Sequence, residues 1–308
     1  MTERSSRDGI LVRACVPHFF REDSDTSGYG SRRPGARLAR SLALARCISG
    51  LVNLQRGLQD AVLHIADRVI DRPTQSADRA ARLPLHVEIC VCTDGRHQLG
   101  DVLDHFRGQI KQLTIDIDNP RLLPLASRDH LVNSGTAPDL ALYLEDDLVI
   151  HDASYADKLL WFLNRTQHKL SLMPHRYERI DRGDLGILHV DGPLSKQFIQ
   201  RFATPQANAA NGLYLGKEQV NFDITDNPHS GTFALSKEQV LYLRTQALPT
   251  SGFVGPLETA ATLTVLQFFP VLKPSFKNRG FLSVEHGHPS FTHYINKFPH
   301  RTGGEDPP

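Results

Sequence analysis

Asp139-Leu-Ala-Leu-Tyr-Leu-Glu-Asp-Asp-Leu-Val-Ile150 is the stretch on which the reading of this chain turns. Residues 139–144 form a short apolar run with the character of a buried strand, and three carboxylates, Glu145, Asp146 and Asp147, follow without a break. Side chains alternate across a strand, so Glu145 and Asp147 are expected on one face and Asp146 on the other. Like charges that close repel unless a cation or a hydrogen-bonding ligand lies between them. A solvated turn after an edge strand would also tolerate such a triplet. Here Leu142, Tyr143 and Leu144 in front and Leu148, Val149 and Ile150 behind argue for a buried setting. Carboxylate oxygens completed by substrate phosphates suit Mg²⁺ or Mn²⁺.

Working outward, three more strands are expected. Ile10–Val16 is β-branched and closed by Pro17; His86–Cys92 ends in the turn Thr93-Asp94-Gly95; Gln112–Ile117 ends in Asp118-Asn119-Pro120. Between them, Ala36–Leu54 has Leu38, Leu42, Ile48, Leu51 and Val52 at helical spacing, with Arg37, Arg40 and Arg46 read as its solvated face or, alternatively, as a membrane-surface face. Further helices are expected at Leu125–Asn133, Ala156–Thr166, Ser236–Thr245 and Thr259–Phe268, and a strand at Gly186–Val190. The segment 59–71 fits either period. Residues 21–35 and 72–82 read as polar loops. Strands spaced by helices give an α/β domain with a mostly parallel, doubly wound central sheet flanked by helices. In such sheets the ligand lies beyond the carboxyl ends of the strands, at a switch in strand order, so the polar strand ends above should meet in one crevice.

Composition narrows the class. The 308 residues carry 35 Lys and Arg against 34 Asp and Glu, which excludes a protein living on bulk nucleic-acid electrostatics. No apolar run approaches the length of about 18 residues needed to span a bilayer, and MTERSSRDGI lacks the apolar centre of a secretory signal. Four cysteines are too few for a disulfide framework; Cys90 and Cys92 read as small apolar residues in a strand. The expectation is a cytoplasmic protein, with peripheral contact at the inner face of the membrane as a possibility. Residues 1–9 and 299–308 read as tails, 10–150 as a ligand-binding half and 151–298 as a second half.

A strand ending in Glu-Asp-Asp, well downstream of an N-terminal strand, resembles the metal-binding motif of the GT-A-fold glycosyltransferases. The second half offers the family's other parts in order. Asn227-Pro-His-Ser-Gly-Thr232 resembles the glycine-containing loop near the donor sugar, with Ser230 and Gly231 at its centre; Leu257-Glu258 resembles the acidic helix start facing the acceptor; His286-Gly-His288 resembles the late histidine. The triplet begins with Glu where the family has Asp, and Leu257-Glu258 lacks the usual Glu-Asp pair.

The resemblance implies a single GT-A-like, Rossmann-like domain that transfers a sugar from a UDP- or GDP-linked donor to a glycan, lipid or small-molecule acceptor. It implies Mn²⁺ or Mg²⁺ on Asp147, with Glu145 as ligand or ribose contact, Asp146 beside them on the nucleotide-sugar, and His286 or His288 completing the shell. Glu258 would deprotonate an acceptor hydroxyl in an inverting transfer; a helix-dipole acid explains it equally. Pro17, Asp94 and Arg128 lie at or after strand ends on the nucleotide side. Asp94 suits a base or ribose hydroxyl, or closes an Asp-Gly turn; Arg128 suits a phosphate, or is an ordinary helix arginine. His175 and Arg176, in Met173-Pro-His-Arg-Tyr-Glu178, suit an acceptor sugar or form a loop held by an ion pair.

Two rival readings remain. Asp116-Ile-Asp118 at a strand end is similar to the nucleophile motif of haloacid-dehalogenase-type phosphohydrolases, although Pro120 stands where that motif takes Thr or Val. A non-catalytic, carbohydrate-binding or scaffolding relative of the transferases would be expected to lose its costly carboxylate cluster.

Overall fold

The structure, a computed structural model, describes residues 9–22, 35–73, 83–182 and 184–300. The expected tails and the polar segments 21–35 and 72–82 fall wholly or largely outside those residues. The central sheet is built from β1 (Ile10–Pro17), β4 (Leu85–Thr93), β5 (Ile110–Thr114), β6 (Leu140–Leu144) and β13 (Thr232–Ser236), in the order β13-β6-β1-β4-β5. The first four are mutually parallel, and β13 runs antiparallel to β6. The third expected strand sits earlier than its sequence suggested, at Ile110–Thr114.

The inner strands of this sheet are covered on both faces, which is why β6 and most of β1 and β4 read as apolar runs, whereas the edge strand β5 is largely exposed. Val12, Ala14 and Val16 of β1, with Leu142 and Leu144 of β6, face one core together with Leu44, Ile48 and Leu51 of α1 (Ala36–Val52). Cys15, Ala141 and Tyr143 face the other, against Leu131 and Val132 of a helix at Leu123–Asn133. Tyr143 lies opposite Phe233 across the β6–β13 ladder, and the two rings stack with centroids 5.2 Å apart. The four described cysteines are buried thiols.

The orientation of α1 departs from the expected one. Leu38 and Leu42 are exposed, while Arg40 is turned inward on the stripe that it shares with Leu44, Cys47 and Leu51. At the other end of α1 the chain passes close to the strand system: a Cβ on Gly50 would come within 2.7 Å of the Ile150 carbonyl oxygen.

The ambiguous segment 59–71 is a hairpin, β2 (Val62–His64) with β3 (Val69–Asp71). The second half adds two four-stranded sheets. One has the order β10-β9-β15-β7, from β7 (Leu148–Val149), β9 (His175–Arg182), β10 (Leu185–His189) and β15 (Ser283–His286). The other has the order β11-β12-β14-β8, from β8 (Ser171–Leu172), β11 (Gln206–Tyr214), β12 (Glu218–Ile224) and β14 (Val271–Pro274). The expected helix after Thr259 begins at Pro256 and continues to Leu266 with a π-type turn at Thr259–Leu263. The helix at Lys237–Leu243 is opened by Ser236 in a reciprocal capping box with Gln239. No helix among the described residues is long and apolar enough to cross a membrane.

Candidate functional site

Strand order reverses at β1: β4 and β5 lie to one side of it, β6 and β13 to the other. Its carboxyl end and that of β6 therefore flank the switch point, and the acidic triplet begins there, directly after Leu144. The backbone leaves the strand at Glu145, so simple alternation does not hold. Asp146 and Asp147 both turn toward α1, and Glu145 turns toward the second half.

Arg40 meets the two aspartates. Its Nη2 donates to Asp146 Oδ1 at 2.6 Å and its Nη1 to Asp147 Oδ2 at 2.9 Å. Arg40 is only 6% exposed, so these are charge-assisted bonds inside the protein. The other oxygen of Asp146 accepts from His18 Nδ1 at 2.7 Å, while His18 Nε2 accepts from the Leu99 amide at 3.0 Å. The backbone donor on Nε2 fixes the tautomer with the proton on Nδ1. Burial disfavours the charge of Asp146, but Arg40 and His18 outweigh it and hold the carboxyl below its ordinary range.

The second half closes the other side. Antiparallel pairing puts His286 opposite Leu148, so the imidazole lies beside Asp147, with Nε2 3.5 Å from Asp147 Oδ2. Parallel pairing of β15 with β9 brings up Glu178, whose Oε1 accepts from His286 Nδ1 at 2.7 Å. Glu178 also accepts from the backbone amides of Ser290, Phe291 and Thr292, which anchors it. Burial works against a charged His286, yet its bonds to Asp147 and Glu178 raise it to about 9. Asp147 is held well below the carboxylate range: burial opposes its charge, and His286 and Arg40 overcome that.

Glu145 is different. Its amide donates to the Gly231 carbonyl at 3.0 Å, and its carboxylate packs on Gly231, where a Cβ would sit 2.7 Å from Oε2. Its Oε1 is buried with no hydrogen-bond partner among the described residues. Burial first, and then the charge of Asp147, push this carboxyl up to about 8, against the pull of Arg176. Glu258 adds to that push, so its charge is felt at Glu145. The Glu258 carboxylate folds back over Gly255, half-buried, and makes no hydrogen bond or ion pair among the described residues.

Of the residues singled out from sequence, the fold brings together Glu145, Asp146, Asp147, Gly231, Glu258, Arg176, His286 and His288. His288 is half-buried, and the charges of Arg40 and Asp147 both act on it. Pro17 ends β1 beside His18, at the rim. Ser230 lies next to Gly231, but its hydroxyl donates to the Pro174 carbonyl at 2.6 Å.

Others are committed elsewhere. Asp94 closes its own turn, accepting from the amides of Arg96 and His97 and from His97 Nδ1 at 2.6 Å. Arg128 is a buried strut: its Nη1 donates to Pro249 O and Thr264 Oγ1, and its Nε to Asp129. His175 donates through Nε2 to the Pro274 carbonyl, and burial lowers it to about 4. Arg176, whose charge acts on Glu145 at the site, is itself tied through Nε to Asp191, which also holds the buried Lys273. Asp116 and Asp118 lie exposed beyond the edge strand β5, two strands away from β1, so the phosphohydrolase motif is not at the switch point.

His18, Arg40 and Glu178 were not anticipated. The spacing 40, 44, 47, 51 marks a buried helical stripe, and His18 is the next residue after a strand-ending proline; both signals were there to be read. Glu178 has none, because only the β9–β15 pairing explains it.

The resemblance implies a divalent cation on these residues. The donor set as it stands does not fit one. No three of the described His, Cys, Asp and Glu side chains are grouped so as to hold a metal ion, and Arg40 already bridges the two aspartates.

An α/β protein with a cluster of buried charged side chains at the switch point of its mostly parallel sheet is the class that fold and site define. No protein-family model matches the sequence, and no curated protein matches it. Among solved structures, the chain is similar to GalNAc-T7, crystallised with UDP, GalNAc and Mn²⁺, at 10% identity and a TM-score of 0.45, covering 90% of this chain and 43% of that one. It is also similar to S. aureus TarS 1–349, at 9% identity and a TM-score of 0.42, covering 87% and 58%. The chain thus spans about half the length of these structures. At this level the likeness assigns no residue a role.

Proposed function

We propose that this protein is a GT-A-type glycosyltransferase that takes a nucleoside-diphosphate sugar at the crevice between β1 and β6 and passes the sugar to a hydroxyl of a glycan, lipid-linked or small-molecule acceptor. One observation carries the reading: the acidic triplet stands at the switch point of the sheet, and Gly231, Glu258 and His286, far apart in sequence, converge on it. In this reading the nucleotide lies over Pro17 and His18, and the donor sugar lies against Gly231 and the triplet. Glu258, without a hydrogen-bond or ion-pair partner among the described residues, accepts the proton of the acceptor hydroxyl as that oxygen attacks the anomeric carbon of the donor sugar and the bond from that carbon to the diphosphate breaks, the nucleoside diphosphate leaving. The resemblance brings Mn²⁺ or Mg²⁺ with it, but the donor set does not fit one, and no step here depends on it.

The test is calorimetric titration of UDP and GDP into the purified protein, followed by assay of Glu258→Gln. One nucleotide should bind at micromolar concentration. Glu258→Gln should keep that affinity within about twofold and lose about 10²–10⁴-fold in transfer. Binding of neither nucleotide would sink the donor assignment, and unchanged turnover would remove Glu258 from the mechanism.

A further inference from the structure

The acidic triplet already has a counter-charge. Arg40 reaches the site from α1, 106 residues upstream of Asp146, and its two terminal nitrogens each take one aspartate oxygen. Asp146 has no oxygen left over, since His18 takes its second. Asp147 is further engaged by His286 at 3.5 Å, and its backbone carbonyl accepts from the Gly287 amide at 2.6 Å. Arg40 is buried on the inward stripe of α1, with its own Nε also buried and without a partner among the described residues. Mg²⁺ binds carboxylate oxygens at about 2.0–2.1 Å, so an ion bridging Asp146 and Asp147 through the oxygens that face Arg40 would need the guanidinium to leave.

We propose that Arg40 is the resident cation of this site: its guanidinium holds the place between Asp146 and Asp147 that a divalent ion would need, so the crevice takes its diphosphate ligand without a divalent metal. The ligand named here rests on the glycosyltransferase reading; the claim about the cation does not. A guanidinium fixed by two carboxylates is permanently charged and does not leave with product. It offsets the like charges of Asp146 and Asp147, so that pair needs no ion to assemble.

The experiment separates the two claims. Mn²⁺ alone is titrated into wild type and Arg40→Ala, followed by electron paramagnetic resonance of the free ion. UDP and GDP are titrated separately into wild type with Mn²⁺ and with chelator. Wild type should bind no Mn²⁺ below millimolar concentration. Arg40→Ala, with Asp146 and Asp147 bared beside His286, should bind it at least about a hundredfold tighter, roughly 3 kcal/mol. Nucleotide affinity of wild type should be the same with metal and with chelator.

Micromolar Mn²⁺ binding by wild type, or nucleotide binding that vanishes with chelator, overturns the proposal. So does a folded Arg40→Ala with no gain in Mn²⁺ affinity. Should Arg40→Ala not fold, the wild-type titrations still decide. If neither nucleotide binds while the Mn²⁺ contrast holds, the transferase reading falls and the assignment of Arg40 stands.

Discussion

Gly231→Ala tests the architecture of the crevice directly. Gly231 has φ +65, a conformation that costs an L-residue about 1–2 kcal/mol. Its new methyl would also sit 2.7 Å from Glu145 Oε2, 2.9 Å from Glu145 Cδ and 3.0 Å from Leu148 Cδ1. Ordinary contact begins near 3.4 Å, so the carboxylate must retreat by roughly 0.7 Å from a buried position. Forcing atoms into a filled interior costs about 1–3 kcal/mol, giving about 2–5 kcal/mol in all. Gly216→Ala is the internal control. Gly216 has φ +70 but nothing within 4 Å of its added methyl, so it bears the conformational cost alone. Both variants gain the same small amount from a stiffer unfolded chain. Urea unfolding at pH 7 should therefore show Gly231→Ala less stable than Gly216→Ala by about 1–3 kcal/mol at unchanged m-value. Shortening the carboxylate in Gly231→Ala/Glu145→Ala should return most of that difference as a coupling energy. Equal destabilisation of the two glycine variants, within about 0.5 kcal/mol, would refute the packing of Glu145 on Gly231.

The site should also make stability fall with pH. Between pH 7 and 8.5 the folded chain holds more protons than the unfolded one, because His286 is raised to about 9 and Glu145 to about 8, whereas unfolded chains release them near 6.5 and 4.5. The stabilisation from His286 is complete below 6.5 and is lost as pH climbs through 9; the cost of Glu145 grows from 4.5 and is complete above 8. Unfolding free energy should drop by about 2–3 kcal/mol across that window, and less in His286→Gln; a flat or rising profile would contradict both assignments. Lys273→Met removes a buried ammonium that donates to Asp191 at 2.9 Å and to the His229 carbonyl at 2.7 Å. It should cost about 3–5 kcal/mol in urea unfolding, and a loss under about 1 kcal/mol would mean that the pair is solvated. Arg128→Lys should lose about 1–3 kcal/mol by breaking the strut to Pro249 and Thr264, with nucleotide affinity unchanged in calorimetry; a tenfold weaker nucleotide in a folded variant would return Arg128 to the phosphate.

What could be read from the sequence was whatever the physics makes local. β6, most of β1 and the carboxyl-terminal part of β4 are buried on both faces, so their residues are mostly apolar and announce themselves. The triplet announces itself too, since three adjacent carboxylates behind a buried strand demand an explanation. β9, His175-Arg-Tyr-Glu-Arg-Ile-Asp-Arg182, could not be read this way. Arg176 and Glu178 are buried polar residues held by Asp191 and His286, so no alternation of apolar and polar residues marks the strand. β7 and β8 have two residues each, too few to carry any period.

Arg40 shows where local reasoning misleads. Counting leucines along α1 put Leu38 and Leu42 inside and the arginines outside, because an arginine inside a protein is costly unless something pairs with it. The pairing partners are Asp146 and Asp147, and nothing within α1 foretells them. The inward stripe at 40, 44, 47 and 51 has better helical spacing than the leucines, but it becomes the favoured one only once two aspartates wait at its end. The same holds for His286 and Glu178. In each pair one member is conspicuous in sequence, and the other is ordinary until the sheet register sets it alongside. A site made of compensated charges is thus half legible: a cluster of like charges reveals where it is, and the topology alone supplies the groups that make it bearable.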